Sequence, residues 1–338
     1  MTTHADPTDH HPNPVPPTEA ATMLLSRVAE NIYWAGRYLE RAEATARLVR
    51  THTGLFIDLP RSAGLGWTPL LAVTGSAEIY EEAHVGTSED DIVSFLLADP
   101  AHTGSVVSSV SRAREALRAT RVLVPRRSWE IVNEMHLWTK DSCAGGVDRR
   151  ARIGWTEAVI RWCNLLSGSL LATMTRDDAY SFLEIGRFIE RADMTTRVLD
   201  VQAGILMADE ARDLHPYSDL TWLAVLRSLG AEQMFRRANG GLVSGADAVR
   251  FLLRDPAFPR SVEHCLIEVS RWLLELPNHE RPMAGCAQVQ CRLDEVDESD
   301  LTADSLHAAV DELQVGLGSL HDSVHDTFLT VPSLAEAS

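Results

Sequence analysis

Lysine is almost absent from this 338-residue chain, because Lys140 is the only one among 31 basic residues and arginine supplies the rest. A P-loop lysine would have to be Lys140, whose neighbours lack the required glycines. Positive charge as a whole is scarce, since 48 acidic residues give a formal net charge of −17. Binding to nucleic-acid phosphates needs clustered positive charge, so we expect no nucleic-acid partner.

Long apolar runs are also missing. No window holds 18 consecutive apolar residues, so we expect no membrane span. The five cysteines form no compact framework, and the start of the chain lacks a secretory pattern, which predicts reduced thiols in a cytoplasmic protein. Neither a Gly-x-Ser-x-Gly elbow nor a Gly-x-Gly-x-x-Gly loop occurs, which disfavours hydrolase and dinucleotide-binding sites.

Helical spacing of apolar residues dominates the chain, and no long segment shows the two-residue alternation of a strand. The longest pattern starts near Leu24 and continues for more than 25 residues, and a second long pattern covers about 176–207. Further helices are predicted over about 69–83, 90–97, 104–124, 127–140, 147–175, 220–238, 246–253, 261–276 and 305–328. The sequence therefore predicts an all-α bundle of long antiparallel helices with shorter flanking ones.

The two longest patterns carry the same motif. Residues 36–48, beginning Gly-Arg-Tyr-Leu-Glu-Arg, return at 186–198, beginning Gly-Arg-Phe-Ile-Glu-Arg, with seven of thirteen positions identical. A second pair, 91–101 and 247–257, shares Phe-Leu-Leu and Asp-Pro in the same register. A period near 150 residues indicates one duplicated unit, because solenoid repeats are much shorter.

The duplication defines the expected domain layout. We expect tandem half-repeats at about 23–145 and 172–280, related by a pseudo-twofold axis, and a C-terminal helix at about 303–328 within one helical domain, 23–330. The Pro-, His- and Thr-rich start, 1–22, is predicted to be a disordered extension, and 331–338 a tail.

The residues shared by the two motifs form a charged stripe. On a helical wheel with about 100° per residue, these residues lie opposite the apolar set. A solvated helix face would tolerate exchange of arginine for lysine, so the identity needs a physical reason. Two interpretations stay open: the stripes pair as a buried, charge-balanced network, or they line a site that binds a ligand. The stripe comprises Glu30, Tyr33, Arg37, Glu40, Arg41 and Arg47 in the first copy and Arg187, Glu190, Arg191 and Arg197 in the second.

The segment from Leu25 to Glu43, LSRVAENIYWAGRYLERAE, resembles the start of the bacterial alpha-E proteins, α-helical proteins named for a Glu-Arg motif. The resemblance extends from about Met23 to Phe328. It implies that Glu30, Asn31 and the motif arginines and glutamates line whatever site exists. Four further residues that would border this site are Arg114, Glu115, Trp129 and Glu130.

The resemblance implies a functional setting rather than a reaction. Alpha-E proteins occur beside, or fused to, circularly permuted ATP-grasp proteins of the amide-ligase type, often with transglutaminase-like peptidases nearby. One expectation is an accessory helical partner of such a ligase, in peptide or amide-bond metabolism. The alternative is an enzyme of the same peptide pathway, in which Glu40 or Glu190 is the acid or base and adjacent arginines bind a carboxylate or phosphate.

His321 and His325 are four residues apart on the last predicted helix, a spacing that suits metal chelation from one helix face. The neighbouring apolar stripe favours an ordinary polar helix face instead. We therefore expect no metal and no cofactor, and the sequence leaves homo-oligomerisation open.

Overall fold

The computed structural model describes residues 19–60, 66–83, 86–143, 146–207, 217–241, 243–296 and 302–330. Within these ranges the chain forms fourteen α-helices, no strand, and a π-helical turn at His325–Leu329. The first seven helices are α1 (Glu19–Asp58), α2 (Pro69–Val73), α3 (Ala77–Ala83), α4 (Glu89–Leu97), α5 (Val106–Ala119), α6 (Arg126–Ser142) and α7 (Arg152–Thr173). The next seven are α8 (Asp178–Met207), α9 (Ser218–Ser228), α10 (Glu232–Asn239), α11 (Gly245–Arg254), α12 (Val262–Leu273), α13 (Glu280–Asp294) and α14 (Ala303–Val324). The predicted all-α class is confirmed.

Two predicted helices are each divided by a glycine turn. The pattern at 69–83 becomes α2 and α3, separated at Gly75, and the pattern at 220–238 becomes α9 and α10, separated at Gly230. These glycines have φ of 63° and 65°, a left-handed conformation that costs glycine little and other residues more. Apolar spacing continues across both turns, which is why the sequence predicts one helix in each place.

Other boundaries differ from the sequence predictions. Helix α13 was not predicted, because its buried positions include Pro282 and Cys286 and give only a weak apolar pattern. Helix α1 begins at Glu19, inside the segment predicted as an extension. Residues 1–18 and the predicted tail, 331–338, lie outside the described residues.

The residues that follow the second shared segment, up to Ser105 in one half and Ser261 in the other, form a helix start that occurs twice. Ser105 caps α5 by accepting the backbone N–H of Ser108, and Ser261 caps α12 by accepting that of His264. The hydroxyl of each capping serine also donates to the carbonyl of an aspartate six residues earlier, in the Asp-Pro turn. The same local chemistry therefore fixes both loops that lead into α5 and α12.

The two longest helices, α1 and α8, pack against each other along the middle of the described structure. Helix α1 also packs on α5 and α7, and α8 packs on α12 and α14. Helix α9 contacts α1, and α2 contacts α8, so each short helix reaches across to the other long one. Both long helices are therefore covered on their apolar faces and on the faces that carry the charged stripes.

The closest approach of α1 and α8 is at the motif glycines. A Cβ atom on Gly36 would lie 2.2 Å from the carbonyl oxygen of Leu183, and one on Gly186 would lie 2.2 Å from that of Tyr33. Any side chain at either position would collide with the facing backbone. The glycine of the repeated motif is thus explained by helix contact.

Two further sequence predictions concern cysteine and the membrane. All five cysteines are free thiols. In the part of the chain that the structure describes, no helix combines the length and apolar character needed to cross a membrane.

Replacing Gly36 or Gly186 with alanine is expected to lower the free energy of unfolding by about 1–3 kcal/mol or more, because the added methyl group overpacks the contact between α1 and α8. Urea unfolding followed by circular dichroism measures the change. Gly54→Ala is the matched control on α1, since nothing lies within 4 Å of that Cβ position. It is expected to stabilise the protein by about 0.5–1 kcal/mol. Equal effects at Gly36 and Gly54 would contradict the close helix contact.

Candidate functional site

Glu190 of α8 is held by two arginines of α1. The Nε of Arg37 donates to Oε2 at 2.7 Å. Arg41 donates from Nε to Oε1 at 2.6 Å and from Nη2 to Oε2 at 3.0 Å. The carboxylate therefore accepts three charge-assisted hydrogen bonds from the facing helix.

Glu40 of α1 is held in the opposite direction, from α8 and from the loop before α12. Arg191 donates to it from Nε at 3.1 Å and from Nη2 at 2.8 Å. Arg260, which directly precedes the cap of α12, donates to the same carboxylate and also to Oε1 of Glu43 at 2.8 Å. Each motif glutamate is thus bound by two guanidinium groups that come from outside its own helix.

Both motif glutamates are ionised. Burial alone would raise the pKa of Glu190, but the guanidinium groups of Arg41 and Arg37 outweigh it and lower the pKa to about 2. Burial likewise opposes ionisation of Glu40, and Arg191 and Arg260 hold its pKa well below the usual range. The network consists of fixed charges at neutral pH.

The charged stripe is not a surface, although the helical wheel places it opposite the core. Only 8% of Arg37, 3% of Glu40 and 1% of Glu190 are exposed. A helical wheel identifies the apolar face of one helix, and the opposite face is then assumed to be exposed to solvent. Here the polar face of each long helix packs against the other long helix. Of the two interpretations left open, the buried network describes the centre of this contact.

Arg187 does not repeat the role of Arg37. It pairs with Glu184, one turn earlier on α8, at 2.9 Å and donates to the hydroxyl of Ser167 at 3.4 Å. The residue that corresponds to Glu184 in the first motif is Trp34, which has no carboxylate. The two sides of the network are therefore similar without being identical.

The last arginine of each motif reaches the glycine turn of the opposite half. Arg47 pairs with Glu43 on its own helix, and its Nη1 is 3.3 Å from the Cβ position of Gly230. Arg197 pairs with Asp193, and its Nη1 is 2.7 Å from the Cβ position of Gly75. These contacts explain why both arginines belong to the repeated motif.

Tyr33 extends the network towards the last helix. Arg37 donates from Nη1 to the Tyr33 hydroxyl at 3.3 Å, and this hydroxyl lies 2.7 Å from Nδ1 of His321. Because the Tyr33 hydroxyl oxygen accepts this hydrogen bond from Arg37, the hydroxyl donates its own proton to Nδ1 of the neutral His321 imidazole. The ring of His325 is 6.3 Å from that of His321 between centroids. Among the described residues no group of three or more metal-ligating side chains is close enough to hold an ion.

The remaining predicted site residues lie away from the network. Asn31 bonds the carbonyl of Arg27 on its own helix, and Glu30 is half-buried on the preceding position of α1. Between α5 and α6, Arg114 lies over the Trp129 ring and donates to Asn133 at 3.0 Å. Ion pairs at the two glutamates complete this second cluster, Glu115 with Arg114 and Arg118, and Glu130 with Arg126 and Arg127.

The sequence analysis missed two residues beside the network, Arg260 and His102. Both lie in the loops between the second shared segment and the caps of α5 and α12, Arg260 directly before Ser261 and His102 three residues before Ser105. They were missed because the comparison of the two halves keeps identical positions, and here the halves differ: Gly104 stands where the other copy has Arg260, and Phe258 stands where it has His102. Both residues are found when the two halves are aligned and the positions at which they differ are inspected.

A cavity of about 200 Å³ opens beside Glu190, and we call it the His102 cavity. Its walls come from α1, α8, the turn at Gly75 and the loop that leads into α5. Its lining residues are Arg41, Thr45, Thr74, Gly75, Ile79, His102, Thr103, Gly104, Glu190, Asp193, Met194 and Arg197. Part of the predicted stripe therefore also borders an open space, as the second interpretation expects.

A larger open groove of about 430 Å³ lies farther along α1. Two of its arginines already have carboxylate partners: Arg50 pairs with Glu157, and Arg227 pairs with Glu232. The arginines of the His102 cavity are paired as well, but this cavity is also lined by His102, whose ring nitrogens have no hydrogen-bond partner among the described residues. We therefore take the His102 cavity as the better candidate for a ligand site.

This geometry defines an all-α protein in which a buried arginine–glutamate network joins the two longest helices. The chain belongs to the Alpha-E family. The model of this family, described as a predicted alpha-helical domain with a conserved ER motif, matches residues 24–329. The family resemblance seen in the sequence is thereby confirmed.

Curated relatives carry the same region inside longer proteins. Uncharacterised proteins of Mycobacterium bovis and of Mycobacterium tuberculosis strain H37Rv are each 26% identical to this chain over an alignment of 353 residues. The alignment covers 94% of this chain and 38% of each relative, so the chain spans less than two-fifths of the relatives' length. No solved structure matches the chain.

Replacing Glu190 with glutamine is expected to lower the free energy of unfolding by about 3–5 kcal/mol, because Arg37 and Arg41 stay buried without their counter-charge. Glu40→Gln should act similarly through Arg191. Urea unfolding at about pH 7 measures both. The control is Glu130→Gln, whose ion pairs lie at the surface and contribute little. A Glu190→Gln protein as stable as the Glu130→Gln control would show that the network is not a buried ion cluster.

Acidification is expected to destabilise the protein through buried neutral histidines. Burial lowers the pKa of His52 to about 4, and burial together with the charge of Arg37 lowers that of His321 to about 4, against 6.5 in an unfolded chain. The folded pKa is the lower one, so this contribution is complete above pH 6.5 and is lost as the pH falls through about 4.

Urea unfolding at a series of pH values tests the His321 part of this effect. His321→Asn keeps an acceptor for Tyr33 but does not titrate, so it should reduce the loss of stability between about pH 6.5 and 4. An unchanged pH profile in this variant would contradict the assignment.

Proposed function

We propose that this chain is a helical accessory module that binds an ATP-grasp protein of the amide-ligase type, in peptide or amide-bond metabolism. A transglutaminase-like peptidase is the second partner we propose. The observation that carries the proposal is that both motif glutamates are fully engaged by arginines inside the α1–α8 contact. The motif therefore builds a rigid scaffold, and the module acts by holding a shape that a partner recognises.

The alternative function, acid or base catalysis by Glu40 or Glu190, is poorly matched to this geometry. A general acid or base works best with a pKa near the working pH. The pKa of Glu190 is lowered to about 2 instead, and both of its oxygens already accept hydrogen bonds. Guanidinium groups hold both carboxylates in the ionised form, which disfavours the uptake of a substrate proton.

The length of the relatives supports a module that works next to other protein. In the mycobacterial relatives the matching region is 38% of the chain, so more than half of each polypeptide lies outside it. Attachment to a longer chain keeps a module close to whatever that chain carries, and this raises its effective concentration there.

We also propose that the molecule arose by duplication of a seven-helix unit, 19–173 followed by 178–324. These boundaries add α7 to the first half-repeat expected from the sequence, and α13 and α14 to the second. Support comes from the shared order of packing and from contacts that occur twice with the halves exchanged. These reciprocal pairs are Gly36 with Leu183 and Gly186 with Tyr33, Arg47 with Gly230 and Arg197 with Gly75, and the caps Ser105 and Ser261.

Co-expression with an ATP-grasp protein encoded beside the gene tests the accessory function. We expect the two proteins to co-elute in size-exclusion chromatography, and we expect the module to change the rate of ATP-dependent amide formation. Absence of both association and any effect on the rate would overturn the proposal.

Glu40→Gln and Glu190→Gln separate the scaffold from the catalytic alternative. In a scaffold, the effect on the ligase should fall only as far as the folded fraction falls, which circular dichroism measures in the same samples. Loss of the effect in fully folded variant protein would favour catalysis by these glutamates.

A further inference from the structure

We propose that the His102 cavity binds a small oxyanion, a carboxylate or phosphate group, through Arg41, Arg197 and His102. The proposal does not depend on the ATP-grasp partner. It rests on the difference between the two halves, on hydrogen-bond donors that lack partners and on the shape of the cavity.

The cavity exists because one arginine of the second half has no counterpart in the first. On the Glu40 side, Arg260 reaches inward from the loop before α12 and contacts Glu40 and Glu43. At the corresponding position before α5 stands Gly104, which has no side chain to fill the space. On the Glu190 side the second guanidinium group is that of Arg37, which lies inside the α1–α8 contact. The space outside this contact therefore stays empty.

His102 supplies an unpartnered polar group at this cavity. It is 4% exposed, and neither ring nitrogen has a hydrogen-bond partner among the described residues. Its ring stacks on Phe95 with 4.0 Å between centroids, which fixes its plane. A buried polar group without a partner is costly, so an imidazole held in this way calls for a ligand. The other half has Phe258 at this position and carries no such group.

The remaining donors favour an anion over a cation. Arg41 uses Nε and Nη2 on Glu190, and its Nη1 has no hydrogen bond among the described residues. Arg197 uses Nε on Asp193, and its guanidinium lines the same cavity. In the cavity lining the guanidinium groups of Arg41 and Arg197 balance the carboxylates of Glu190 and Asp193, and Arg37 adds a third guanidinium to Glu190 from the α1–α8 contact. The preference for an anion therefore comes from the donors that still lack an acceptor.

Backbone groups at the cavity wall also favour an anion. Thr103 and Gly104 line the cavity directly before Ser105 caps α5, so the positive end of that helix dipole lies at the cavity wall. One water needs on the order of 10–15 Å³ of such space, so a cavity of about 200 Å³ admits a small organic ion. The net charge of −17 repels anions from the protein as a whole, which makes anion binding a property of a local site.

Thermal unfolding in the presence of phosphate or acetate tests the proposal, with chloride at matched ionic strength as the reference. A ligand that binds the folded state raises the unfolding midpoint in a concentration-dependent way. We expect at least one of the two oxyanions to do so for the full chain. A response to phosphate alone would identify a phosphate-bearing ligand, and a response to acetate alone a carboxylate. No response beyond chloride to either ion overturns the proposal.

Variants at equivalent positions locate the site. Arg197→Gln is expected to weaken binding about tenfold or more, as the loss of a hydrogen bond to a charged group does, whereas Arg47→Gln removes the corresponding arginine of the other half and should leave affinity unchanged.

His102→Phe introduces the residue found at the equivalent position. It preserves stacking on Phe95 and should still weaken binding several-fold, and Phe258→His should not. Binding that survives both Arg197→Gln and His102→Phe in folded protein overturns the proposal.

Discussion

The structure depends on two buried carboxylates that stay ionised between α1 and α8. Buried ion pairs add little net stability compared with apolar packing of the same volume, because desolvation offsets most of the attraction. Their stronger effect is on register. A slide of one helical turn, about 5.4 Å, would separate Glu190 from Arg37 and Arg41 and leave all three charges buried without partners. The contact of Gly36 and Gly186 with the facing backbones imposes the same register by sterics. Charge and shape therefore select a single alignment of the two longest helices.

The positions of the surrounding groups follow from this alignment. Arg47 and Arg197 lie about three turns beyond the motif glycines, and each reaches the glycine turn of the other half. The short helices on either side of those turns are thereby tied to the central pair. The loops before α5 and α12 are fixed by capping serines and approach the network from outside. One loop inserts Arg260 into the network, and the other leaves the His102 cavity. The site is thus a consequence of how two similar loops meet the same central contact.

The sequence was enough to predict the all-α class, the two long helices and the repeated motif, because each depends on local periodicity or on identity between residues. It was not enough to predict burial of the stripe. A helical wheel describes one helix alone, and it assigns polar residues such as Glu40 to solvent unless a second polar helix is known to cover them. Helix α13 and the glycine turns were missed for a related reason: Pro282 weakens one pattern, and apolar spacing runs unbroken across Gly75. Contacts between distant segments, such as Arg260 with Glu40, have no local signal at all.

Positions at which the two halves agree and positions at which they differ have different physical explanations. Agreement at the motif glycines, glutamates and arginines is accounted for by packing and charge at the α1–α8 contact, so it reports on what the fold requires. The difference between Gly104 and Arg260 is not required by the fold, because the Arg260 side shows that the space can be filled by the protein itself. The first half also keeps a buried imidazole without a hydrogen-bond partner at His102, where the other half has Phe258. Keeping both the cavity and the unpartnered His102 lowers the stability of the fold and adds no contact that the fold requires. Such a cost is typical of positions that serve binding, since the groups that meet a ligand must stay free of internal partners until it arrives.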